Sequence, residues 1–433
     1  MTPFDVLIGG GGIAASAAAI RLCDLGYRPL LAVVVVPSVG GIEAIQESAW
    51  PLVSQLGLVG ALQTAEAEIV EGFENHWFPN VPLTLPGRWI HVDRDRFAAA
   101  ALREAVRRGA RVRSLVGLPP LFMTPDRVVC VLDGREMSFG AAIDATGRAA
   151  VWSRPVHREE SSVADLFEVP MDANPRGRIA RVMREGDGAG GGRGVRRAWA
   201  YRIGARQRVS VGIVSSGGSS VKGDGPDIWR ALDLPAENSI WSGRRAAAQQ
   251  WCERPVDGRR VAIGDAAHAC APLAGQGIRF ALASARAAAS LLHTWSVSPE
   301  TAARASRFFT DFVRHSSRRH RRWLNELPTH RPSSADRIML PEWVTSRATV
   351  HEVDLSVDSR AVSGSAVRLP DGEYVRWVGG IDVLEIRDLA TNPVATPSLV
   401  DALARRYTHR HADAVVRWCV KHELLRDANS KET

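Results

Sequence analysis

Apolar positions along this chain recur with two periods, and the places where the period changes mark its elements. Asp5-Val6-Leu7-Ile8 is a short apolar run ending in four glycines, Gly9-Gly10-Gly11-Gly12. Residues 13–25 then carry small apolar side chains at helical spacing and stop at Gly26, which predicts strand, turn and helix in succession. A second strand is predicted over residues 30–36, closed by Pro37. The segment Trp89-Ile90-His91-Val92-Asp93 leads into an Ala/Arg-rich helix ending near Gly109, and residues 110–116, 126–133 and 141–144 read as further strands. Strict alternation takes over at residues 199–204 and 209–214, the pattern of a hairpin. Val261-Ala262-Ile263 is again a buried strand, followed by a loop carrying Pro272, Gly275 and Gly277 and by a small-residue helix over residues 278–292. Residues 308–327 predict a basic helix, with Pro328, Pro332 and Ser333-Ser334 marking a boundary. In the tail, residues 367–378 read as a hairpin about Pro370-Asp371-Gly372, and helices over 398–407 and 412–424 follow Gly379-Gly380.

Two of these turns carry chemistry. A strand, a glycine-rich turn and a small-residue helix open a dinucleotide-binding βαβ unit. The best register is Gly10, Gly12 and Ala15, followed by Ser16; alanine is tolerable at the third position because that position serves helix–strand packing. The acidic residue expected at the tip of the second strand is absent. At the second turn, Gly275 and Gly277 permit close backbone approach, and the helix starting at Ile278 presents unsatisfied N–H groups that favour an anion or an electron-rich ring edge. A plain strand-turn-helix is the alternative reading of that stretch.

Composition narrows the picture little. With 433 residues and 45% hydrophobic content the chain can bury a large core and form two or three domains. No apolar run reaches the roughly 18 residues that span a bilayer. The opening MTPFDVLIGG has no basic stretch ahead of an apolar one, so no signal peptide is expected. Cys23, Cys130, Cys252, Cys270 and Cys419 are scattered and odd in number, which predicts free thiols and a cytoplasmic location, and no metal site is expected. The net charge of +8 is carried almost wholly by arginine, lysine standing only at Lys222, Lys421 and Lys431. A solvated face explains Arg314, Arg318, Arg319, Arg321 and Arg322; a contact surface for an acidic partner is the other reading.

The run GDAAHACAPLAGQG, from Gly264 to Gly277, resembles a flavin fingerprint of the flavoprotein monooxygenase and halogenase superfamily. The resemblance implies an α/β fold: a Rossmann-like FAD-binding domain of the hydroxylase/halogenase type, a β-sheet substrate domain and a small winged-helix-like C-terminal module. Boundaries are expected at 1–162 and 255–332 for the two parts of the FAD domain, with a substrate-side strand near 76–92. The substrate domain is expected over 163–254 and the partner-docking module over 333–433. Within the fingerprint, Asp265 is implied to bind the ribityl chain, and Gly275, Gly277 and Ile278 to face the flavin pyrimidine. Gly40-Gly41-Ile42-Glu43-Ala44 resembles the loop that halogenase-like members place beside the isoalloxazine, although Glu43 equally suits capping a helical stretch that begins near Ile45. Arg94 and Arg96 are both candidates for the arginine that reaches the flavin, and Val116 for a backbone contact to adenine. Asp144-Ala145-Thr146-Gly147-Arg148 resembles the motif that closes the nucleotide domain.

Other readings stay open. His268 is a proton relay or a residue that orders its loop, and Trp229 and Trp241 stack a substrate ring or belong to the core. Asp187 to Arg193, glycine-rich, reads as a loop. No lysine stands between Gly40 and Arg94, as halogenation of tryptophan would need, and no catalytic acid or base is assigned. The combined motifs and the C-terminal extension resemble flavoproteins that mature peptide-derived quinone cofactors, the subgroup serving quinohemoprotein amine dehydrogenase maturation. That resemblance implies oxygen insertion into a tryptophan of a protein precursor towards cysteine tryptophylquinone, with a flavin reductase or a reduced nicotinamide as electron source. Arg405, Arg406, His409, Arg410 and His411 make nucleic-acid contact conceivable, but partner docking is favoured, so no nucleic acid is expected. Small-molecule aromatic hydroxylation, halogenation, flavin-linked reduction and a flavin-sensing DNA-binding regulator are the competing classes.

Overall fold

The computed structural model describes residues 6–35, 40–76, 83–159, 162–170, 179–185, 197–205, 208–216, 229–230, 232, 234, 237–272, 275–326, 340–346, 348–357, 360–370, 372–378 and 381–429. Asp5, Pro37, the glycine-rich run at 187–193, the Pro/Ser boundary at 328–334, Asp371 and Gly379-Gly380 lie outside the described residues. The chain forms two compact units, 1–321 and 322–433.

Unit 1 is built on two large sheets, with two smaller three-stranded ones. Five strands of the first run parallel in the order Arg260–Ala262, Ala141–Asp144, Val6–Gly9, Pro29–Val34 and Arg111–Leu115, with Val256–Asp257 antiparallel at one edge. Val6 to Gly9 are buried throughout, as a strand covered on both faces must be. One cover is the helix Ile13–Asp24, packed against the helices Arg94–Arg107 and Gly277–Val297. Its buried alanines at 15, 17, 18 and 19 allow that close approach. The other is a meander of Phe122–Met123, Val128–Leu132 and Arg135–Phe139, whose Val128, Cys130 and Leu132 share a core with Leu7 and Leu30.

The second sheet has eight strands. It takes five of them from residues 162–246 and three, Ile42–Gln46, Glu68–His76 and Leu83–Asp93, from earlier in the chain. Every neighbouring pair is antiparallel except Ile179–Glu185 with Glu68–His76. The expected hairpin is there, Arg197–Ala205 against Arg208–Ser216. Its Gly212 lies under the Tyr201 ring, where any Cβ would collide with that ring. The helical stretch expected near Ile45 begins at Glu47, as Glu47–Ala49 and then Trp50–Gln55, but Ile42–Gln46 before it is a strand paired with Trp89–Asp93, so the expectation that Glu43 caps the helix is corrected. The exposed edge of Leu83–Asp93 supplies a ladder for Ile42 and Ile45, and tertiary pairing overrides the local helical pattern.

Unit 2 has its own core, including Val344, Ile381, Ile386, Leu403, Val416 and Leu425. Three short helices, Val383–Leu389, Thr396–Ala404 and His409–Lys421, adjoin a sheet of Val394–Ala395, Trp343–Thr345 and Arg426–Asp427, a winged-helix-like arrangement. Tyr374–Val375 pairs with Arg360–Arg368 as expected, and Arg360–Arg368 also pairs with Val350–Val357, a strand the pattern did not show. Within the basic cluster Arg406 is met by Glu385 at 2.9 Å and His409 by Asp401 at 3.6 Å. The side chain of Arg410 lies outside the described residues. No described helix is long and apolar enough to cross a membrane.

Gly264 is a point of close approach between the turn after Arg260–Ala262 and the helix Ile13–Asp24. It adopts φ +55, and a Cβ there would stand 2.9 Å from the Cβ of Ala14 on the helix opposite. Gly264→Ala should therefore cost about 2 kcal/mol from left-handed strain and overpacking. A denaturant midpoint unchanged from wild type would contradict this account.

Candidate functional site

Helices usually cover their first N–H groups with a side-chain cap. The helix Arg94–Arg107 does so: the Asp93 carboxylate accepts from the N–H groups of Asp95 and Arg96, each at 2.9 Å. The short helices Trp50–Gln55 and Val59–Thr64 do not, and neither do two longer helices of unit 1. Ile13–Asp24 begins after Gly12 and Gly277–Val297 after Gln276, with no capping side chain and no acidic residue in the first turn of either. A Cβ at Gly12 or at Gly277 would meet nothing within 4 Å. Both ends open onto one cleft, with about 1690 Å³ of empty space counted out to solvent. The cleft thus receives two sets of free N–H donors and two positive dipole ends.

Between them stand the charged groups. Gly264, Asp265 and Ala266 form a tight turn after the strand Arg260–Ala262, and Asp265 lines the cleft. Its nearest cation is Arg148, Nε to Oδ2 at 3.9 Å. Arg148 is held by the carbonyls of Ala248 and Cys270, at 2.5 and 3.1 Å, and burial lowers its pKa. The loop at Gly40 and Gly41 has φ +42 and +118, values that favour glycine. It is pinned from three sides: Ile42 N–H donates to Ser210 Oγ at 2.7 Å, Arg94 N–H to the Gly41 carbonyl at 3.1 Å, and Arg245 to the Gly40 carbonyl at 3.0 Å. Arg94 pairs with Glu43 at 3.2 Å, and that charge raises the guanidinium's pKa against the lowering effect of burial.

The structure therefore brings Gly12, Glu43, Arg94, Asp265, Gly275, Gly277 and Ile278 to one cleft. Other candidates are placed elsewhere. Gly10, at φ +122, packs so close to the Ala145 carbonyl that a Cβ would collide with it. Ala15 and Ser16 are buried inside the helix, the Ser16 hydroxyl without a partner among the described residues. Arg96 turns away to pair with Glu66 at 2.5 Å, in a second cavity beside His91, Asp93 and Arg208. Val116 is fully exposed just past its strand and lies outside the cleft lining. Trp229 packs edge-on against Phe167 and Trp241 is half-exposed; neither lines the cleft. The pattern gave no sign of Glu168, Tyr201, Ser210 or Arg245, which line the cleft from the eight-stranded sheet. Their roles depend on which face of a strand is turned inward, and that is known only once the register is known.

His268 orders its loop. It is fully buried, with Nδ1 3.1 Å from the Gln250 carbonyl and Nε2 3.4 Å from Cys270 Sγ, and it does not line the cleft. His320 Nε2 accepts from the Ala271 N–H at 3.0 Å, and burial first, then the neighbouring histidine, pushes its pKa down to about 4. Burial likewise pushes His268 from 6.5 down to about 4. Both rings fold neutral, so the stability they confer is complete above pH 6.5 and lost as pH falls towards 4. His320→Gln keeps an acceptor for Ala271 and removes one titrating ring, so its melting temperature should fall less steeply across that window; an unchanged slope would count against the assignment. Cys270 lines the cleft, but burial pushes its thiol up to about 12, which leaves it protonated and unreactive. Among the described residues no group of His, Cys, Asp and Glu could hold a metal ion.

No family model and no curated protein sequence matches this chain. Its fold is that of flavin-dependent halogenases and hydroxylases. The chain is similar to QhpG, a peptidyl tryptophan dihydroxylase essential for tryptophylquinone cofactor biogenesis, at 20% identity over 98% of this chain and 100% of that one, with a TM-score of 0.65. It is also similar to CmlS, a flavin-dependent halogenase, at 16% identity over 100% and 97% of the two chains and a TM-score of 0.70. CtdE, solved with FAD and a substrate, is 16% identical over 75% of this chain and 90% of its own, with a TM-score of 0.59.

Proposed function

We propose that this chain is an FAD-dependent monooxygenase that hydroxylates a tryptophan side chain of a protein precursor during the biogenesis of cysteine tryptophylquinone. One observation carries the reading: two uncapped helix ends open onto a single cleft, with Asp265 and the pinned Gly40-Gly41 loop between them. A dinucleotide of this kind needs a cradle for a pyrophosphate at one end and donors for an electron-rich ring edge at the other. Gly12 and Ile13 would hold the pyrophosphate, Asp265 would accept from ribityl hydroxyls, and the turn from Gly275 to Ile278 would face the pyrimidine edge. Arg94 and Glu43 would flank the ring. The reduced flavin, when bound, supplies the activation of oxygen.

The chain's own contribution is to position and to enclose. Leu166, Phe167, Ile203 and Val211 give the cleft an apolar wall on the side of the eight-stranded sheet, which excludes water from an activated ring. An indole is electron-rich and needs little proton transfer to react, so the lack of an assigned catalytic base is no obstacle. Among the described residues no lysine lines the cleft, which disfavours halogenation of a tryptophan. QhpG, similar over its full length, is a peptidyl tryptophan dihydroxylase, and that similarity supports a protein substrate. The test is intact mass of a candidate precursor after incubation with this protein, FAD, a reductant and labelled oxygen. A gain of labelled oxygen on one tryptophan is expected. Oxygen consumed to peroxide with the precursor unchanged would redirect the search to free indoles and phenols.

A further inference from the structure

Among the described residues three arginines line the cleft, and they are not equivalent. Arg94 has Glu43 at 3.2 Å and Arg148 has Asp265 at 3.9 Å. Arg245 has no carboxylate within ion-pair distance among the described residues; its hydrogen bond is to the Gly40 carbonyl, at 3.0 Å, which uses one of five N–H donors.

Strand geometry explains how it comes to face the cleft. Arg244 and Arg245 are neighbours on Ile240–Ala246, so their side chains leave opposite faces of the sheet. Arg244 reaches the fully buried Asp165, Nε to Oδ1 at 2.8 Å. Arg245 takes the cleft face, where the residue opposite it in the ladder is Ala164, and Ala246 and Ala247 follow. Small side chains leave open space around the guanidinium. Burial lowers the pKa of Arg245, yet a guanidinium stays charged throughout the physiological range. Glu43 and Asp95 act on it only from beyond contact distance, and Arg94 opposes them, so its remaining donors meet no carboxylate directly and the favourable completion is an oxyanion in their fork.

We infer that Arg245 binds a carboxylate on the substrate, an acidic side chain close in sequence to the target tryptophan of the polypeptide. The inference rests on the proposed reading of the cleft. It does not assign Arg245 to the cofactor, whose pyrophosphate would sit at Gly12 and Ile13, beside the parallel sheet, whereas Arg245 hangs from the antiparallel one. A tryptophan-bearing segment with an acidic neighbour would thus be read at two points, ring and charge, before any chemistry.

The experiment measures binding, apart from turnover. The full-length, FAD-loaded protein is titrated with short tryptophan peptides in which one aspartate is walked across the two positions on either side of the tryptophan. Each is compared with its asparagine counterpart, and flavin absorbance is the readout. For at least one position the aspartate peptide should bind wild type about tenfold more tightly than its counterpart. In Arg245→Gln, which removes the charge while keeping a polar side chain on the strand, that gap should close. No gap in wild type at any position, or an undiminished gap in the variant, would overturn the inference. So would a loss of FAD affinity in Arg245→Gln, which would give the side chain to the dinucleotide. A charge-dependent gap without oxygen transfer would sink the monooxygenase reading and keep this site; oxygen transfer without a gap would do the reverse.

Discussion

Gly12→Asp is expected to strip the protein of its flavin while leaving the fold intact. Gly12 has φ −81 and ψ −173, a conformation any residue adopts, and a Cβ there meets nothing within 4 Å. Aspartate at a helix N-cap accepts from the free N–H groups of the first turn, and relative to glycine it should leave stability equal or higher by a few tenths of a kcal/mol. The same carboxylate would occupy the donors meant for a pyrophosphate and would place a negative charge where another must bind. Losing the donors and adding the repulsion should weaken FAD by more than about a hundredfold. A thermal melt and an FAD titration on the same sample check both halves. A variant that melts with wild type and binds FAD normally would mean that this helix end holds no phosphate. If stability and affinity fell together, the change would have damaged the fold and Gly12→Ser would replace it.

The glycines that matter most were legible in the sequence because their reasons are local. A turn with φ above zero and a helix start without a cap are properties of a few consecutive residues, so Gly12, Gly275 and Gly277 could be read before any contact was known. Asp265 was legible for the same reason, standing at the end of an apolar strand. The choice between Arg94 and Arg96 was not. Both follow one strand at the start of one helix, and what separates them is that Glu43 waits on one side and Glu66 on the other. Neither glutamate is near them in sequence. Ile42–Gln46 was read in part as the approach to a helix because its ladder partner lies more than forty residues away. Arg245 shows the limit most clearly: its neighbour Arg244 has the same side chain, and only the pleat decides that Arg244 finds Asp165 while Arg245 faces the cleft.

The other large effect concerns unit 2. A chain ending at Glu326 should keep its FAD and lose kcat/KM for the protein precursor by about a hundredfold or more, while turnover of a free indole persists. All the described residues that line the cleft lie within 12–281. The apolar core of unit 2 is drawn from residues 344–425, so the cut removes one complete core and leaves the two large sheets of unit 1 whole. A cleft that takes a small aromatic ring has no need of a second folded unit, but a polypeptide must be held outside the cleft as well as inside it. Unit 2 offers what such holding uses: Trp343, Tyr374 and Trp377 are half-exposed, with the Arg376 guanidinium 5.6 Å from the Trp377 ring, and aromatic and arginine side chains dominate the energetics of protein contacts. Removing such a contact surface takes away binding that is the same in ground and transition states. The loss should therefore fall on KM for the precursor and leave kcat for the free indole unmoved. Equal losses for both substrates would mean that the truncation had disturbed the cleft itself, and full precursor turnover would mean that unit 2 docks nothing in this reaction.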